Sequence, residues 1–151
     1  MQELLRVKAA YDTVDALIQT QIAEALTRSD TASEARLEST RALNDYAYFV
    51  VLFSQFERIV KAKFKDAVDR RRNNPDWTQR RGWDYDLFNS DRVPFNTQIA
   101  SVLDRKLPEY RQVITFYQQR NHIAHGGLSP IVGSVDVFVR EITTIISRLS
   151  L

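Results

Sequence analysis

The sequence predicts an all-α fold, and three observations predict it. Apolar residues recur every three or four positions along most of the 151 residues, no stretch alternates convincingly with period two, and only four glycines and four prolines interrupt the chain. With 44% hydrophobic and 26% charged residues the composition is that of one compact globular domain, expected to span 1–151. The expected architecture is an antiparallel bundle of four main helices plus one short helix.

Each element has its own signal. Leu4, Val7, Tyr11, Val14, Ile18, Ile22 and Ala25 lie on one face of a helix predicted over about 2–28. Thr31 followed by Glu34 has capping-box spacing, so a second helix starts near Thr31. Leu43, Tyr46, Val50, Phe53, Val60, Phe64 and Ala67 carry its period to about Arg72, and the solid run from Ala47 to Phe53 suggests burial on all sides. Asn74-Pro75-Asp76 reads as a cap with proline at the first helical position, followed by one turn through Trp77 to Arg81. Phe95, Ile99, Val102 and Leu103 mark a short third helix closed by Pro108. Tyr110, Val113, Ile114 and Tyr117 mark a fourth that stops at Gly126-Gly127. Val135, Phe138, Ile142, Ile145 and Leu149 mark the last, with Ser134 as its cap.

Composition also excludes chemistry. The chain has no cysteine, which removes thiol catalysis, disulfides and cysteine zinc sites and fits a reducing, cytoplasmic setting. The charged N-terminal residues Glu3, Arg6, Lys8 and Asp12 do not resemble a signal peptide, and the run Ala47–Phe53 is far shorter than the ~20 residues that span a bilayer. Charge is uneven: residues 58–81 hold nine Lys and Arg against three Asp, an affinity for polyanions or simply a solvated helix end.

The chemically informative segment is Arg120-Asn121-His122-Ile123-Ala124-His125-Gly126. Continuing the stripe 110, 113, 114, 117 places Arg120, Asn121 and Ala124 on the inward face, where an arginine is costly unless paired or lining a wet cleft. His125 lies four residues after Asn121, so these side chains are expected to stack and hydrogen-bond. The set suits RNA cleavage. An imidazole, with an ordinary pKa near 6.5, can take a proton from a ribose 2′-OH or give one to the departing 5′-oxygen. The guanidinium offers a forked donor to phosphate, and Asn121 can orient His125 or donate to a phosphate oxygen. His122-x2-His125 falls short as a zinc site, because only carboxylates remain to complete the shell. No metal or cofactor is required, and there is no glycine-rich phosphate loop. With two histidines in the chain, an acid/base pair is most simply completed by a second copy in a symmetric dimer.

RNHIAH at 120–125, late in a small all-α domain, resembles the R-x4-H signature of HEPN domains. The resemblance covers most of the chain and implies a metal-independent endoribonuclease that works as a homodimer, with Arg120, Asn121 and His125 at a shared cleft. It further implies a toxin or phage-defence role and a partner such as a nucleotidyltransferase-type antitoxin. Some HEPN domains are non-catalytic, so the alternative is a helical dimerisation or partner-binding module. Certain HEPN groups carry an acidic residue followed by a basic one four later in an earlier helix, a pattern matched loosely by Glu57 and Lys61. Glu57 falls on the apolar stripe with Arg120 as its expected partner, although the pair also reads as an ordinary surface Glu-to-Lys spacing.

RNA contacts are expected from Arg70, Arg71, Arg72, Trp77, Arg80 and Arg81, with Trp83 and Tyr85 interleaved, a pattern suited to stacking on unpaired bases. The same tryptophans could instead plug the end of the bundle. A third reading is nucleic-acid binding through this tract without cleavage.

Overall fold

The structure is a computed structural model that describes residues 1–83, 88, 92–128 and 133–149. Its regular elements are helices: α1 (Gln2–Thr27), α2 (Thr31–Arg72), α3 (Trp77–Arg80), α4 (Phe95–Val102), α5 (Pro108–Ala124) and α6 (Val135–Arg148). The all-α class is as expected, with the turn after Pro75 forming a helix of its own. No helix among the described residues is long and apolar enough to cross a membrane. The chain divides into two compact units, one of Met1–Gln55 with Gln118–Arg140, the other of Phe56–Tyr117 with Glu141–Leu151.

In the first unit α1 buries Leu4, Tyr11, Ile18, Ile22 and Ala25, the stripe read from its period, while Val7 and Val14 are half-buried. The turn into α2 is tight. Asp30 N donates to the Ala25 carbonyl and Ser29 N to Leu26, a Schellman closure with Ser29 in the left-handed position at φ 57°. The cap of α2 is then Asp30 and not Thr31: its Oδ1 accepts from Ser33 N at 3.0 Å. Hydrogen bonds from Ser33 hold the Asp30 carboxyl below the ordinary carboxylate range. Because Ser29 carries a Cβ where glycine would not, Ser29→Gly is expected to stabilise the fold by roughly 0.5–1 kcal/mol, read as a Tm increase of about 2–3 °C. A lower Tm would contradict the strained-serine account.

Contacts from Tyr11 to Tyr48 and from Asp15 to Arg41 run in opposite directions along α1 and α2, so the two pack antiparallel. Phe49, Leu52 and Phe53 are fully buried, with Phe138 of α6 4.6 Å from Phe49 and 6.3 Å from Phe53 between ring centroids. Two apolar expectations are corrected here. Leu43 is 54% exposed and Val51 44%, so the run 47–53 is buried along one side only. Conversely Asp15, which the apolar stripe does not include, is buried, with Arg41 Nε donating to its Oδ1 at 2.8 Å and Gln19 to its Oδ2 at 2.5 Å.

Polar groups continue along this face. Lys8 bridges Asp12 at 2.5 Å and Asp136 at 2.6 Å. Tyr11 OH donates to Asp45 Oδ1 at 2.9 Å. Burial raises the Asp45 carboxyl above its ordinary range; the Tyr11 hydrogen bond opposes the shift, as does Arg41, while Asp15 and Asp136 add to it. A raised carboxyl favours folding most when protonated, so its contribution is present at acid pH and lost as pH rises through the raised value. Asp45→Asn, which keeps an acceptor for Tyr11, is therefore expected to melt higher than wild type at pH 7, with the gap closing as pH falls. Thermal melts between pH 4 and 7 check this, and a variant less stable than wild type at pH 7 would contradict it.

The second unit buries Phe56, Val60, Phe64, Ala67 and Val68 of α2 with Phe95, Ile99 and Val102 of α4 and Val113 and Phe116 of α5. Phe95 links them, 6.3 Å from Phe56 and 4.8 Å from Tyr117 between centroids. Asp76 is the cap of α3, accepting from Thr78 N at 2.8 Å, while Asn74 Oδ1 accepts from Asp76 N, so Pro75 precedes the cap instead of following it. Pro108 opens α5 where it was expected to close the preceding helix, its missing N–H costing nothing at a first helical position. Gln112 with Glu141 and Glu109 with Arg148 pair α5 with α6 in antiparallel register. Ile142, Ile145 and Leu149 of this unit are buried, as are Val135 and Phe138 of the first, all five positions of the predicted stripe. Ser134 Oγ accepts from Val137 N at 3.2 Å, the predicted cap of α6.

Candidate functional site

The RNHIAH segment ends α5 within the first unit. The buried residues of α5 are Val113 and Phe116, so its inward face is rotated from the predicted stripe. Carried forward by 3.6 residues, that face passes through 120 and 123, which leaves Arg120, Asn121 and Ile123 half-buried and Ala124 exposed instead of inward. Arg120 Nη1 donates to Asn121 Oδ1 at 2.8 Å, and the Arg120 Nε is a buried atom without a hydrogen bond. The expected side-chain bond between Asn121 and His125 does not form among the described residues: the Asn121 side chain is turned to the arginine, and His125 meets Asn121 only through its backbone N, which donates to the Asn121 carbonyl at 3.1 Å.

The helix then closes in a Schellman turn. Gly127 N donates to the His122 carbonyl and Gly126 N to Ile123, both at 2.9 Å, with Gly126 at φ 87° where a side chain would be strained. His125 is therefore the residue that caps the helix, and it is exposed, presented on a turn whose backbone is fixed by two hydrogen bonds. The imidazole of His122 lies against Gly127 so closely that a Cβ there would meet three ring atoms. Beyond stopping the helix, Gly127 thus makes room for that ring, a task no local pattern in the sequence marks. Chemically, the segment offers a guanidinium fixed by its neighbour and an imidazole open to solvent.

Glu57 and Lys61 lie one turn apart on α2 in the second unit, Glu57 half-buried and Lys61 exposed. Among the predicted RNA contacts the structure separates two kinds. Arg72 and Trp83 serve the chain itself: Arg72 Nε donates to the Trp83 carbonyl at 2.7 Å, Arg71 covers the Trp83 ring at 4.1 Å, and Phe88 packs on it at 4.7 Å. Arg70, Arg81 and Trp77 face solvent, with the Arg80 guanidinium 5.6 Å from the Trp77 ring. Tyr85 lies outside the described residues. Among the described residues no group of three or more His, Asp or Glu side chains is placed to hold a metal ion. Comparison of the chain with family models, with curated proteins and with solved structures finds no match.

Proposed function

We propose that the chain is a metal-independent endoribonuclease of HEPN type, working as a cytoplasmic homodimer whose helices form an antiparallel bundle. One observation carries the reading. Arg120 is held by Asn121 at the end of α5, and the turn that follows leaves His125 exposed. Five helical positions separate arginine from histidine, a rise of about 7.5 Å that a long guanidinium side chain can close around one phosphodiester. In this scheme Arg120 holds the phosphate and the ribose 2′-oxygen attacks phosphorus. The bond to the 5′-oxygen breaks as one imidazole accepts the 2′ proton and another supplies the leaving 5′-oxygen with its own. His125 of each subunit fills one of these roles. Asn121 acts through Arg120, holding the fork in place. Glu57 and Lys61 are supporting groups, and Arg70, Trp77, Arg80 and Arg81 form the surface toward RNA, with Arg71 and Arg72 adding positive charge while they hold Trp83. The role is that of a toxin or phage-defence effector, restrained by a partner such as a nucleotidyltransferase-type antitoxin.

A second reading is favoured by a different detail. Arg120 is half-buried, with one nitrogen committed to Asn121, which suits a non-catalytic dimerisation or partner-binding module. Incubating a mixed RNA pool in EDTA with wild type and Arg120→Ala separates the two. Cleavage by wild type alone supports the nuclease; an inert, folded, dimeric wild type supports the module.

A further inference from the structure

The tract from Arg70 to Trp83 contains two tryptophans, and the structure gives them different tasks. Trp83 is committed to the chain through Arg71, Arg72 and Phe88. Trp77 is 58% exposed on a turn that is itself well fixed. Asp76 caps it through Thr78 N, and Asn74 bonds both Asp76 N and the Gln79 side chain. Arg80 Nη1 reaches the carbonyls of Asn74 and Pro75. The indole is therefore carried on a braced support with a guanidinium beside it, at the end of the stretch 58–81 in which nine basic side chains outnumber three acidic ones.

We propose that Trp77 is a stacking platform for an unpaired nucleobase, and that this surface selects single-stranded RNA over duplex. This rests on the reading of the chain as an RNA-cleaving protein and adds to it the form of RNA bound. A paired base has both faces stacked inside the helix and offers nothing to the indole, whereas an unpaired base exposes its ring to stacking while flanking phosphates meet exposed cations such as Arg70 and Arg81. Arg80, held over the indole, adds a cation for the neighbouring phosphate and limits the ring's freedom.

The test uses the full chain carrying His125→Ala, so that binding is read without cleavage. A fluorescein-labelled 12-nucleotide single-stranded RNA and the same sequence annealed to its complement are titrated at about 0.1 M salt. Trp77→Ala is expected to weaken single-strand binding about tenfold or more, Trp77→Phe to retain most of it, and neither to change duplex binding. Tryptophan emission is expected to be quenched by the single strand. Unchanged single-strand affinity in Trp77→Ala, equal losses on duplex and single strand, or no binding at all would overturn the proposal. A wild type that binds through Trp77 yet never cuts RNA in EDTA would sink the nuclease reading and leave this one standing.

Discussion

Replacing His125 with alanine is expected to lower the rate of RNA cleavage by about 10²–10⁴-fold, the range general acid–base groups contribute, and to leave the melting temperature almost unchanged. The two halves of that expectation come from the same geometry. His125 follows the last residue of α5 and is exposed, and its bond to Asn121 is made by its backbone N to the Asn121 carbonyl, so little of the fold depends on its ring. The turn that presents it is made by backbone atoms of His122, Ile123, Gly126 and Gly127, which the substitution does not touch. Arg120 would still hold a phosphate, so substrate affinity should fall far less than turnover, placing the loss in kcat. Cleavage at the wild-type rate by His125→Ala would remove the imidazole from the mechanism.

Phe138→Ala is the largest expected loss of stability, about 3–5 kcal/mol, combining lost transfer energy with the cavity left behind. Phe138 is fully buried, its ring 4.6 Å from Phe49 and 6.3 Å from Phe53, and neither neighbour can fill the gap while staying in its own contacts. Against a total stability of ~5–15 kcal/mol this is a large fraction, and the Tm should drop on the order of 10 °C. Urea unfolding checks it. A loss below about 1 kcal/mol would mean the three-ring contact is not the centre of the first unit's core.

Helices were legible because their apolar residues fall every three to four positions and their ends carry local chemistry, as Ser134 and Gly126 do for α6 and α5. Legibility failed where tertiary partners override a residue's type. Asp15 is buried because Arg41, twenty-six positions away, meets it, and Leu43 is exposed although it lies on the period. The rotation of α5 was missed because Tyr110, Ile114 and Tyr117 drew the stripe away from Phe116, which is buried together with Val113. The α2 cap shifted by one because a Schellman turn delivers Asp30, and not Thr31, to the position where a side-chain oxygen reaches Ser33 N.

For the candidate site, the place of the RNHIAH segment at the end of α5 was legible and the pairing of its side chains was not. Side chains four apart on a helix meet, which favoured Asn121 with His125; adjacent side chains do not ordinarily face each other. The arginine is long enough to double back onto its neighbour, and half-burial makes that hydrogen bond worth forming. The roles of Trp77 and Trp83 were inseparable in sequence because both stand among arginines; only the carbonyl bond from Arg72 and the cover of Arg71 distinguish the anchored ring from the open one.

The central claim is that RNA is cut by its own 2′-oxygen without a metal, and the chemistry of the product ends tests it most directly. Wild-type protein in EDTA is expected to leave 2′,3′-cyclic phosphate and 5′-hydroxyl ends by mass spectrometry, and to spare RNA methylated at the 2′-oxygen. Ends bearing 3′-hydroxyl and 5′-phosphate, or cleavage of the methylated RNA, would contradict the account.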